Sequence, residues 1–156
     1  MKTRNLIVMM LLVAGVVMSS CKKDDDSGNP DTGNGTMSLT YGGTSWNASL
    51  AVQAINTNGV INVTGSDSEA RQASVILVGV TEAGTYQVNT GSTSQLRWTE
   101  GLGQDQTYVA NGILGSGTVT ITELTATKII GTFSFTGHNT DGGTKEITNG
   151  QFNVDF

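Results

Sequence analysis

The side chains that could do chemistry in these 156 residues are few and scattered. There is one cysteine, Cys21, and one histidine, His138, so no second Cys or His is at hand for a conventional zinc site or a Cys/His catalytic constellation. His138 lies in the polar turn Gly137-His138-Asn139-Thr140-Asp141-Gly142-Gly143, where Asp141 could turn it into a general base; a lone loop histidine is more often plain surface. No Gly-x-Ser-x-Gly elbow offers a nucleophile. Of the nine acidic residues in 37–156, Asp67, Glu69, Glu100, Asp105 and Asp141 fall in predicted loops. Two carboxylates at the right separation could form a glycosidase pair, but about 120 residues leave little room for a deep cleft. Asp67, Glu69 or Asp141 could meet calcium, yet none follows the Asp-x-Asp-x-Asp-Gly spacing of a dedicated loop. The expectation is no enzyme, no cofactor and no metal.

Aromatic rings are the remaining chemical hint, because flat rings on an exposed sheet face can stack on sugars. Trp46, Trp98, Tyr41, Tyr86 and Tyr108 are all the Trp and Tyr residues of the chain. Trp46 shares its strand phase with Leu50 and Val52, which assigns it to the core. Trp98 and Tyr108 belong to a less apolar hairpin within 93–111, and they are the expected platform if a glycan is bound. Charge excludes another ligand class: residues 37–156 carry four basic and nine acidic side chains, so nothing could neutralise a run of phosphates.

What must position any such residue is first a delivery segment. Lys2 and Arg4 precede an apolar run over 6–18, whose 13 residues fall short of the roughly 20 that a membrane-spanning helix requires. Then comes Met18-Ser19-Ser20-Cys21, with small residues ahead of the lone cysteine. This resembles a bacterial lipoprotein signal, with Met18 standing where such signals prefer Leu, Val or Ile. The resemblance implies cleavage before Cys21 and acylation of its thiol, an anchor that holds effectively for good once two or three chains are attached. The alternative is an ordinary secretory signal with a chance cysteine at its boundary. Lys22-Lys23-Asp24-Asp25-Asp26 resembles the export tag of Bacteroidetes surface lipoproteins, which sends them to face outward; its plain alternative is a solvated linker. Residues 27–36 are rich in Ser, Gly, Asn and Asp and hold the chain's one proline, Pro30. The expected organisation is a signal over 1–20, an acylated cysteine and flexible tether over 21–36, and one domain over 37–156.

That domain reads as strands throughout. No window keeps apolar residues at helical spacing for three turns, whereas Gln151-Phe152-Asn153-Val154-Asp155-Phe156 alternates for six residues. Strands are expected over 37–41, over a long second segment that puts Trp46, Ala48, Leu50 and Val52 on one face, and over 60–65, 73–80, 84–88, 94–98 and 106–110. A meander over 117–124, 128–137 and 144–156 completes the set. The 73–80 segment, apolar on both faces, reads as a central strand. About nine or ten strands at this spacing predict an all-β antiparallel β-sandwich, with a closed antiparallel barrel as the alternative.

Several motifs carry a resemblance that spans nearly all of the domain: Gly43-Thr44-Ser45-Trp46-Asn47-Ala48, Gly84-Thr85-Tyr86, Gly117-Thr118-Val119-Thr120-Ile121-Thr122, Gly131-Thr132-Phe133-Ser134-Phe135 and Ile147-Thr148-Asn149-Gly150-Gln151-Phe152. Together they resemble an uncharacterised family of small Bacteroidetes lipoproteins, domains of unknown function built from β-strands. The resemblance implies surface or periplasmic placement and brings no catalytic residue with it. The functional expectation is an outer-membrane lipoprotein facing outward, with a non-catalytic binding or structural domain. Its partners are the membrane through the lipid anchor and either a glycan or an envelope protein, with no nucleic acid. A glycan-binding accessory protein is the alternative, and a small hydrolase ranks below it. A long uncharged sheet edge would favour a protein partner.

Overall fold

The computed structural model describes residues 35–156, so Cys21, the Lys22 to Asp26 run and the remaining signal and tether positions lie outside the described residues. The described chain holds eleven antiparallel strands: β1 (Gly35–Tyr41), β2 (Thr44–Asn47), β3 (Ala51–Thr57), β4 (Val60–Ser66), β5 (Gln72–Val78), β6 (Gly84–Val88), β7 (Gln95–Thr99), β8 (Thr107–Ala110), β9 (Ser116–Leu124), β10 (Lys128–His138) and β11 (Thr144–Asp155). A single turn of 3-10 helix over Gln104–Gln106 precedes β8. The expected all-β antiparallel class is what forms. The strands make one continuous sheet rather than two, in the order β2-β1-β11-β10-β8-β7-β5-β4-β3, curled as a half-barrel.

β10 is the hinge of this arrangement. Along Ile129 to Thr136 its flank is taken by β9, which in turn carries β6, and at His138 the same flank passes to Val109 of β8. Two arms leave this fork and fold toward each other over one core. Alternation decides which side chains enter it: in β11, Ile147, Phe152 and Val154 are buried while Lys145, Gln151 and Asn153 face outward or lie at the rim. Phe133 packs on Phe135 and Phe152 at centroid separations of 6.4 and 6.2 Å, which joins β10 to β11 inside the core. The arms meet closely at Gly65 of β4, where a Cβ would stand 2.9 Å from Met37 Sδ and 3.0 Å from Ala48 Cβ. Only a residue without a side chain lets the arms approach there.

Two strand expectations change. The long second strand is two strands, broken where the amides of Ser49 and Leu50 both donate to the Ser66 carbonyl. The chain turns from one arm to the other at this shared acceptor, and Leu50 leaves the core face to stand 49% exposed while Trp46 and Val52 stay buried. β5 is central in its arm, paired with β4 and β7, but it is not covered on both sides: Val78 is 39% exposed on the outward face. A single curled sheet has one inner face, so apolar residues of both phases cannot all be enclosed.

Candidate functional site

One cluster of charged and aromatic side chains gathers at an end of the half-barrel. Tyr41 ends β1, Trp46 stands in β2, Asp67 and Arg71 bound the turn after β4, Trp98 and Glu100 come from the end of β7, Tyr108 lies in β8 and Lys145 in β11. β-pairing sets Trp98 directly opposite both Ala73 of β5 and Tyr108 of β8. Gly137 in β10 makes room for β8, because a Cβ there would sit 3.0 Å from Tyr108 Cβ.

Asp67 is the centre of the first half of this cluster. Its Oδ2 accepts from Trp46 Nε1 at 2.7 Å and from Arg71 Nε at 2.7 Å, and its Oδ1 accepts from the amides of Glu69 and Arg71 at 2.9 and 3.0 Å. Burial pushes this carboxyl up, but the bonds from Arg71, Trp46 and the two amides together outweigh it and hold Asp67 below its ordinary value. The same bond to Asp67 raises Arg71, whose remaining donors reach Glu69 Oε2 at 3.0 Å and the Tyr41 hydroxyl at 3.1 Å. In the second half, Lys145 Nζ lies 2.5 and 2.6 Å from the two Glu100 oxygens and 4.8 Å from the centre of the Tyr108 ring. Trp98 Nε1 donates to Glu100 at 3.1 Å, and the rings join the halves: Trp98 is 4.9 Å from Tyr41 and 5.0 Å from Trp46.

Chemically, this is a closed circuit. Each carboxylate at its centre already faces a cation at hydrogen-bond distance, and each indole N–H has an acceptor. The arrangement ties β1, β2, β7, β8 and β11 to one another.

Of the two residues of the expected platform, Trp98 has no accessible surface and so offers no face to a sugar, while Tyr108 is half-buried with Lys145 over its ring. The reason is register: Trp98 shares the inward phase with Leu96, which a hairpin of modest hydrophobicity conceals in the sequence. His138 sits with Nδ1 3.2 Å from Thr144 Oγ1, and Asp141 is exposed in the adjoining turn. Asp105 and Glu69 are exposed, whereas Asp67, expected as a solvated loop carboxylate, is 6% exposed. Among the described residues no three His, Cys, Asp or Glu side chains converge as a metal cluster. Sequence reasoning missed Arg71, Glu100 and Lys145 as a connected set, since the contacts that join them to Tyr41 and to each other span 30 to 45 positions; the one local signal was Asp67-x-Glu69-x-Arg71, the pattern of an Asx turn.

The family described as a domain of unknown function, DUF6252, matches residues 34–154. The chain belongs to this family. No curated protein and no solved structure matches the chain. The DUF6252 match covers all eleven strands but for the last position of β11, so the aromatic and charged cluster lies wholly within the family's extent. It agrees with the expected resemblance to an uncharacterised domain.

Proposed function

We propose that the protein is an outer-membrane lipoprotein, anchored through acyl chains on Cys21 and turned outward by the Lys22-Lys23-Asp24-Asp25-Asp26 run, whose DUF6252 domain is a non-catalytic binding module. The anchor rests on the lone cysteine at the end of a short apolar segment. The non-catalytic reading rests on one observation: the groups best able to do acid, base or nucleophilic work are paired with one another inside the fold. Binding then falls to the sheet's outer surfaces and edges. The buried state of Trp98 weighs against sugar stacking and favours a protein partner from the envelope.

Metabolic labelling with an alkyne fatty acid tests the anchor. The full chain should take up label and fractionate with the outer membrane, and Cys21→Ala should abolish both. Replacing residues 22–26 with Ser and Gly should leave labelling intact and remove the domain from the reach of protease added to whole cells. An unlabelled chain, or a Cys21→Ala chain that fractionates unchanged, overturns the reading.

A further inference from the structure

Among the described residues three strands, β2, β3 and β6, pair on one side alone. They are not equivalent. β2 has four residues and bends away at Ser49, and β6 has five, with the Tyr86 hydroxyl bound to the Glu82 carbonyl beside it. β3 has seven residues, and all seven pair with β4 in unbroken register from Ala51↔Ser66 to Thr57↔Val60. Sheet edges are normally blunted by lysine, proline, an inward charge or a bulge. Ala51–Thr57 reads AVQAINT and has none of these. The next two strands of the sheet, β4 and β5, also hold no charged residue, in a domain whose nine acids outnumber its four bases. On the outward face beside this edge, Ile55 is 53%, Val60 37% and Val78 39% exposed, so an apolar patch runs up to the open flank.

We infer that β3 pairs antiparallel with β3 of a second copy of the chain, making one sheet across a two-fold axis at Ala54. Under this axis Gln53 of one copy faces Ile55 of the other, Val52 faces Asn56 and Ala51 faces Thr57, so every facing pair is uncharged. The smallest of the inward side chains, Ala54, lies on the axis itself. Charge selects the site as well: two acidic domains repel through most of their surfaces, and this charge-free flank is where they can meet without opposing like charges. Seven residues at about 3.3 Å give an edge of roughly 23 Å, and the two Ile55 patches join across it.

The full chain, purified in a non-ionic detergent and examined by sedimentation velocity, should have twice the monomer mass. Ile55→Lys and, separately, Gln53→Lys place a cation on the open flank at exposed positions, and each should leave the circular dichroism spectrum unchanged and abolish the dimer. In a Gln53→Cys/Ile55→Cys chain, mild oxidation should link two copies on a non-reducing gel, with the unsubstituted chain as the control for Cys21. A wild-type chain that stays monomeric at about 100 µM protein, lysine variants that still dimerise, or cysteines that fail to link overturn the inference. So does a monomer that instead captures an uncharged extended peptide at this flank, since the occupant is then a foreign strand.

Discussion

At the scale of the residue, Asp67 carries more of the structure than its place in a polar turn suggests. Its carboxylate satisfies the Trp46 indole, the Arg71 guanidinium and two backbone amides at once. Asp67→Ala should therefore destabilise the domain by about 2–4 kcal/mol, because it strands a buried indole N–H and removes the partner of a half-buried cation. Against a net stability of about 5–15 kcal/mol this is a large fraction, and a urea titration would measure it. The pH dependence follows in sign. A folded value below the ordinary 3.8 means that the contribution is fully present above pH 3.8 and is lost as pH falls from there through the lowered folded value. The stability gap between wild type and Asp67→Asn should then be constant from about pH 5 upward and shrink below pH 3.8. A gap that widens on acidification would show that the carboxylate is not held charged. Only the local turn to Glu69 and Arg71 could be read from the sequence, where an aspartate between Ser66 and Ser68 has the composition of a solvated loop; its burial depends on Trp46 arriving from 21 positions away.

At the scale of the element, alternation was informative wherever one face of a strand is wet. β11 shows the period plainly, and so do β1, β9 and β10, and the boundaries of all four fall within two residues of those expected. Alternation misled at Leu50, where phase continued in the sequence across a bend set by the Ser66 carbonyl; at Trp98 it was the low hydrophobicity of the hairpin that masked an inward phase. Fork and curl were not legible, since they depend on β10 exchanging β9 for β8 along a single flank. β11 pairs with β1 on one side and β10 on the other, and it buries Phe152 and Val154 almost completely. Two such side chains contribute about 1.5–3 kcal/mol each. Deleting residues 152–156 should accordingly unfold the domain, although chain ends are usually expendable. A truncated chain that melts cooperatively at the wild-type temperature would refute this.

At the scale of the whole molecule, the question is whether a half-barrel held at one end by the Asp67 and Glu100 circuits behaves as one body or opens there first. The buried side chains of both arms form a single cluster, running from Trp46 and Val52 through Trp98 to Phe133 and Val154 without division. Opening the end would separate Trp46 and Trp98, which stand 5.0 Å apart, and would expose both buried indoles. That loss is comparable to the whole stability of a small domain, so a partly open state should not accumulate. The chain supplies its own probe: its two tryptophans both lie in this cluster, so their fluorescence reports the clasped end while far-ultraviolet circular dichroism reports the entire sheet. The two signals should trace the same urea transition, with equal midpoints and slopes. In Lys145→Gln the midpoint should fall and the coincidence persist, because releasing Glu100 weakens one bond of the clasp without dividing the core. Fluorescence that changes at lower urea than circular dichroism in the wild type would mean that the clasped end is a separate cooperative unit, and the half-barrel would then have to be described as an opening sheet rather than a single folded body.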